Sequence, residues 1–335
     1  MLSAVAILAT AGAGRALALS NQTSIFSPAA TPAHEIYGLT LFVFALTCGI
    51  FAIVGGLALY AAIRFRERPD DDGSEPQQIF GSNQIELSWT IVPVLIVVVL
   101  FLAAARIIFA VQDAPKPKAA LPVIVVGHQF WWEFRYPTLH ITTANELHIP
   151  VSTASDPRPT YMKLTSADVI HNFWVPRLSG KVDVFPNRIN DLWTDPHTPG
   201  MYEGQCAQFC GVQHANMLLR VYVDTPEQFA AWVKQEQQPG VQDPSVAAGR
   251  RIFETQACMN CHTIAGTAAH GQFGPDLTHL ASRHTIASGA AMNTPENLER
   301  WIEDPDLIKE GSLMPSMHLS TEQVREITAY LDTLR

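Results

Sequence analysis

The sequence predicts a multidomain membrane protein: a two-helix transmembrane hairpin, then a Greek-key β-sandwich, then a small all-α domain. Three observations lead there. Two long apolar runs fill the first third of the chain, and short alternating runs broken by proline and glycine fill the middle. Helical periodicity returns near the C-terminus. With 335 residues, 47% of them hydrophobic, and a positive mean hydropathy, the chain exceeds what one soluble domain requires. The implied division is 1–20 for a signal-like segment, 21–114 for the hairpin, 120–225 for the sandwich, 226–244 for a helix and linker, and 245–335 for the last domain. A net charge of −9 without a basic patch gives no footprint for nucleic acid, which is excluded as a partner.

Met1 to Leu19 is rich in alanine and leucine and followed by small residues, as in a signal peptide. It lacks a basic n-region and Arg15 interrupts it, so a disordered or membrane-surface N-terminus suits the same residues. Tyr37 to Ile63 carries no charge and is long enough to cross the hydrocarbon core. A second span, Trp89 to Val111, contains only Arg106, near one end where its stem can snorkel. Cys48, inside the first span, reads as a packing residue. Arg64, Arg66 and Arg68 follow the first span directly, which puts the connecting loop in the cytoplasm and both termini outside; Asp70, Asp71 and Asp72 weigh little in that rule. Glu86 stands just before the second span. It reads as a solvated helix-start residue, or as a proton entry point for a membrane-embedded partner.

After the stiff Pro115-Lys116-Pro117-Lys118 spacer, strands are expected at Val123–Val126, Phe130–Tyr136, Glu146–Ile149, Thr160–Leu164 and Leu218–Val223. This pattern suits a Greek-key sandwich of about 100 residues. Thr225 to Gln235 reads as an amphipathic helix, and Gln237 to Pro244 as a linker.

The chemistry concentrates between Cys206 and Met217, where Cys206, Cys210, His214 and Met217 share one short loop. Soft sulfur and imidazole ligands select copper or zinc over hard cations. His171, 35 residues ahead of Cys206, supplies the distant partner such a loop needs. A mononuclear blue-copper site uses two histidines, one cysteine and a weak methionine, so the spare thiolate argues for two coppers bridged by both sulfurs. Each copper would then take one histidine, with methionine and a backbone carbonyl as weak axial ligands. A Cys-Cys-His-His zinc site or a Cys206–Cys210 disulfide would use the same residues. Met217 favours copper, because thioether ligands are rare for structural zinc.

In the last domain, a helix over Ala247–Glu254 runs into Cys258-Met259-Asn260-Cys261-His262, the c-type haem attachment pattern. The thiols would bond the haem vinyl groups and His262 would lie beneath the iron. Methionine as sixth ligand raises the potential of an electron carrier. Met314 is the choice for that ligand, in Gly311-Ser312-Leu313-Met314-Pro315 between helices at Pro295–Glu303 and Thr321–Leu334; Met317 and Met292 are its rivals. The Met-Pro segment and Gly274-Pro275-Asp276-Leu277 resemble stretches of bacterial cytochromes c.

Gly204-Gln205-Cys206, Phe209-Cys210-Gly211, His214-Ala215 and Met217 resemble the CuA loop of cytochrome c oxidase subunit II. The double span, Glu86 before Trp89, Gly127-His128-Gln129 and His171 before Val175-Pro176 fall in that family's order, over roughly residues 35 to 225. The resemblance implies a cupredoxin-like domain in which His171, Cys206, Cys210, His214 and Met217 ligate dinuclear copper and Gln208 gives its carbonyl oxygen. It also implies that Glu86 marks a proton-channel mouth. Gln208 stands where the family usually has a glutamate that also binds magnesium; a neutral side chain is a poorer ligand for a hard cation, which leaves that ion unassigned. Phe130 falls where the family has the tryptophan of electron entry, and Trp131 or Trp132 could serve instead.

With its fused cytochrome c domain, such a chain implies transfer from an external donor, a cytochrome c or a quinol–cytochrome c oxidoreductase, to haem c. Transfer then runs to CuA and to haems of subunit I, where oxygen is reduced to water. Subunit III and membrane lipid are further implied partners, and a bacterial plasma membrane with both redox domains outside is the implied location. Two other readings use the same parts: a CuA-bearing subunit of a nitric oxide reductase, and a membrane-tethered metal-binding protein without electron transfer. Haem attachment speaks against the latter.

Overall fold

The structure is a computed structural model describing residues 23–66, 73, 75, 77–112, 120–241 and 243–335. The signal-like segment, Arg68, Asp70 to Asp72 and the Pro115–Lys118 spacer lie outside the described residues. The chain divides into two compact units, one formed by His34–Ala114 and the other by Met1–Ala33 with Pro115–Arg335.

The smaller unit consists of two helices, Thr31–Arg64 continuing from the other unit and Asn83–Gln112. Both exceed the predicted spans at their N-terminal ends. Their mean hydropathies over the most apolar windows are 2.4 and 3.0, and none of those windows is buried within the protein, as a lipid-facing surface requires. Glu86 sits in the first turn of the second helix, exposed, where a carboxylate complements the positive end of the helix dipole.

In the larger unit, strands β1 (Leu121–His128), β2 (Trp131–Tyr136), β3 (Ile141–Ala144), β5 (Thr160–Ser166) and β8 (Asn190–Thr194) form one sheet in the order β3-β2-β1-β5-β8. The second sheet is ordered β4-β10-β9-β6-β7, from Glu146–Pro150, Leu218–Asp224, Gly200–Cys206, His171–Trp174 and Val182–Val184. β1 runs parallel to β5 and β4 parallel to β10, so neither sheet is a simple meander. Between the sheets lie Trp132, Phe134, Leu147, Ile149, Leu164, Phe173 and Leu219, each nearly or fully inaccessible to water. The five predicted strands are present. β3, β6, β7 and β8 carry no such alternating run, being short or rich in polar residues.

The helix Pro226–Glu236 closes one side of the sandwich. Thr225 caps it reciprocally with Gln228, each side chain bonded to the other residue's backbone N–H. The segment read as a linker is fastened at several points: Gln237 Nε2 donates to the Leu139 carbonyl at 2.9 Å, Gly240 N–H to the Ala265 carbonyl at 2.9 Å, and the Gln238 carbonyl lies 3.1 Å from His279 Nε2.

The C-terminal domain packs Phe253, Ile264, Leu298, Ile302, Ile327 and Tyr330 into a second core under the helices Ala247–Thr255, Pro295–Glu303 and Thr321–Leu331. One two-residue strand pair, Thr285–Ile286 with Ala291–Met292, interrupts the helices. This domain and the sandwich belong to the same compact unit.

Candidate metal centre and haem pocket

Cys206 is the last residue of β9, and the chain returns to the sheet at Leu218, the first residue of β10. The loop between them is closed by Cys206 N–H donating to the Met217 carbonyl at 2.9 Å. His171 opens β6, which pairs with β9 so that Phe173 faces Cys206. From the facing sheet, β1 contributes Gly127, where a Cβ would stand 2.8 Å from the His171 ring, so only glycine admits the imidazole. Sheet pairing thus closes the 35-residue gap that separates the histidine from the loop in sequence.

The donor atoms form two facing pairs. His171 Nδ1 lies 3.9 Å from Cys206 Sγ, and His214 Nδ1 lies 3.8 Å from Cys210 Sγ. The two sulfurs are 3.9 Å apart, both thiols being free. Met217 Sδ stands 3.8 Å from Cys210 Sγ, and the Gln208 carbonyl oxygen 3.2 Å from Cys206 Sγ. The ligand atoms of His171, Cys206 and Cys210 lie within 4.8 Å of one another, while His214 approaches from the Cys210 side. Each cysteine therefore has its own imidazole and its own weak donor. The Gln208 side chain is exposed.

Two buried thiols this close cannot both ionise without a cation between them. Hydrogen bonding from Cys210 holds the Cys206 thiol far below the usual range, and the resulting anion, together with burial, pushes Cys210 far above it. Such a soft, half-ionised donor set fits a copper pair. His171 is fixed from behind, its Nε2 lying 2.8 Å from Asp168 Oδ1. Burial disfavours the His171 cation, but Asp168 and the Cys206 sulfur outweigh it and raise the imidazole above its ordinary value. Asp168 is held below the carboxylate range: burial opposes this, and bonds from His171 and from the N–H groups of Gln129 and Val169 prevail. Asp168 escaped the sequence reading, although an acid three residues before a ligand histidine was the available signal.

Below this loop lies a cavity of about 740 Å³, lined by Cys258, Cys261, His262 and Met314 together with Leu277 and Ile302. A short helix, Cys258–Cys261, sets the two thiols on one face. His262 Nδ1 donates to the Pro275 carbonyl at 2.8 Å, leaving Nε2 as the ligand atom, and burial lowers its basicity. At Gly274 a Cβ would meet the His262 ring at 2.5 Å, so the predicted Gly-Pro stretch acts by close approach. The size and the donor set fit a covalently attached haem. Met317 also lines the cavity, whereas Met292 is outside the lining and 59% exposed.

The sandwich supplies one wall of the same cavity through His128, Gln129, Phe130 and Trp131. Gln129 Nε2 donates to the Cys210 carbonyl at 2.6 Å, and the Phe130 ring would stand 2.9 Å from a Cβ at Gly211. Phe130 therefore lies between the cavity and the metal loop. Trp131 stacks on His128 at 4.1 Å, while Trp132 is wholly inside the sandwich, edge-on to His171.

A two-helix hairpin, a sandwich with a paired-thiol loop and a c-type haem fold, in this order, define a class: membrane-anchored electron-transfer subunits. The sequence matches the family profiles "Cytochrome C oxidase subunit II, transmembrane domain" over 18–107, "Cytochrome C oxidase subunit II, periplasmic domain" over 139–223 and "Cytochrome c" over 246–335. It is 33% identical over 306 residues to cytochrome c oxidase subunit 2 of Alkalihalophilus pseudofirmus, covering 89% of this chain and 85% of that one. The corresponding subunit of Bacillus sp. PS3 is 32% identical, with 81% and 80% covered. Among solved structures, the periplasmic domain of subunit II from Bradyrhizobium japonicum is 29% identical with a TM-score of 0.34, covering 37% of this chain and 96% of that one. The chain belongs to the cytochrome c oxidase subunit II family, in a form that carries a C-terminal cytochrome c domain. Membership makes it a subunit of a haem-copper oxidase, and implies CuA copper and haem c.

Proposed function

We propose that this chain carries electrons from an external donor to haem c, then to the dinuclear copper, then to subunit I, where oxygen is reduced to water. The observation that carries this reading is the pairing of His171 with Cys206 and of His214 with Cys210 across two sulfurs 3.9 Å apart. Cys206, Cys210, His171 and His214 would hold the copper pair, with Met217 and the Gln208 carbonyl as weaker donors. A copper pair so held would supply one-electron transfer there.

Cys258 and Cys261 would bind the haem, with His262 and Met314 as the residues that would hold its iron. Met314→Ala should abolish the low-spin Met/His haem spectrum while leaving covalent attachment intact; Met317→Ala should leave both intact. Glu86 is assigned to proton entry beside the membrane. Magnesium is left out of the assignment, because Gln208 offers a neutral, exposed side chain where a hard cation wants a carboxylate. Division into a hairpin, a copper domain over 120–225 and a haem domain over 245–335, placed outside a bacterial plasma membrane beside subunits I and III, completes the reading. A cytochrome c or a quinol–cytochrome c oxidoreductase is the donor class it requires.

Metal and haem analysis of the purified chain tests it, with two coppers and one haem expected per molecule. Electron paramagnetic resonance should show one unpaired electron shared by both coppers. A single zinc, or copper reduced before haem c by the physiological donor, would overturn the scheme.

A further inference from the structure

Two buried ionisable groups take no part in the scheme above, and both lie where the haem domain meets the sandwich. Lys309, from the haem domain, is 3% exposed, and its Nζ donates to the carbonyls of Phe130 at 2.7 Å, Asn216 at 2.9 Å and Ala287 at 3.1 Å. Among the described residues no carboxylate lies within ion-pair range of it. Glu146, from β4 of the sandwich, is likewise 3% exposed. Its carboxylate accepts from His284 N–H at 3.0 Å, Thr285 N–H at 2.9 Å and Thr285 Oγ1 at 2.9 Å, all in the haem domain. The arrangement is largely reciprocal: each domain buries an ionisable side chain whose hydrogen-bond partners come mainly from the other.

Strand alternation explains the placement. In β4 and β10, Leu147, Ile149, Leu219 and Val221 point into the core, so Glu146, His148, Arg220 and Tyr222 line the opposite face. Arg220 is registered beside Glu146 and donates to Thr285 Oγ1 at 2.8 Å, and Tyr222 stacks on His284 with centroids 5.0 Å apart. Gln213 Nε2 donates to the Glu310 carbonyl at 2.6 Å, beside Lys309. Burying a charge is costly unless several good hydrogen bonds satisfy it, and those bonds exist here only in one docked register.

Resting on the electron route proposed above, we infer that Lys309 and Glu146 are positioning residues that lock the haem cavity against the Gln129–Phe130 wall beside Cys210. They touch neither cofactor. Lys309 binds the carbonyl of Phe130, the residue between the cavity and the metal loop, so it fixes the gap one electron must cross. In that step the ferrous haem is oxidised by one electron and the oxidised copper pair is reduced by one; no proton or bond is transferred. Transfer inside the locked pair is intramolecular and needs no search by a tethered domain.

The test uses the full chain with haem and copper loaded. Haem c is reduced by a light pulse, and its reoxidation is followed together with copper reduction; hydrogen–deuterium exchange is read separately at residues 284–285. For Lys309→Met the expected result is a loss of about tenfold or more in haem-to-copper rate, as for a misplaced reacting pair. Haem and copper spectra should not change, and exchange at 284–285 should accelerate. Glu146→Gln, on the other domain, should act in the same direction, and it carries the same readouts if Lys309→Met loads poorly. Loaded variants with rates within about twofold of the parent and unchanged exchange would overturn the lock. A parent chain lacking the copper pair would instead overturn the function proposed above, and exchange at 284–285 in the variants would still decide the docking.

Discussion

Asp168 touches no expected metal ligand atom, yet it determines which nitrogen of His171 faces the sulfurs. Its carboxylate takes the Nε2 side at 2.8 Å and leaves Nδ1 for the metal. Asp168→Asn keeps the shape but loses the charge that favours this orientation, so copper affinity should fall about tenfold to a hundredfold, measured by competition with a chelator. Gln129 plays a comparable part for Cys210 by holding its carbonyl, and its own N–H is held by Asp168 at 2.6 Å. One carboxylate thus braces both halves of the site.

Among the elements, the helix Pro226–Glu236 and the terminal helix Thr321–Leu331 begin with the same device. Thr225 with Gln228, and Ser320 with Gln323, exchange side-chain-to-backbone bonds at the N-terminus. The terminal helix buries Val324, Ile327, Tyr330 and Leu331 in the haem-domain core, so its start fixes the register of that core. Ser320→Ala should lower stability by roughly 1 kcal/mol, read as a lower thermal midpoint of the haem domain, with no change in haem absorption at room temperature. The strands obey a different logic. β6 is too short to announce itself, and it forms because His171 to Trp174 pairs beside Gly200 to Cys206.

For the molecule as a whole, the connection between the redox domains is a docked interface. The segment from Gln237 to Gly240 is hydrogen-bonded on both sides, and the charges of Lys309 and Glu146 are answered across the boundary. Inserting about six glycine and serine residues after Val241 should therefore leave haem-to-copper transfer within about twofold of the parent, whereas a freely tethered domain would slow as its effective concentration falls. Flash reduction of the loaded chain measures this directly. Hydrogen bonds of 2.6–3.0 Å between the domains hold them together.

The chain by itself determined the order of parts and the donor atoms. Apolar length announces a membrane span, two thiols with a histidine announce a haem, and soft ligands crowded into one loop announce copper, because each depends on residue types and spacings within a single stretch. Met314, proposed as the sixth haem ligand, stands on a loop that lines the cavity. Folding decided what depends on chain-distant neighbours: which nitrogen His171 offers, why Phe130 and not Trp132 faces the haem cavity, and where Lys309 and Glu146 find partners 179 and 139 residues away. A buried charge is satisfied by backbone groups of any sequence, so no local pattern can name its partner until the sheets and helices have brought that partner within reach.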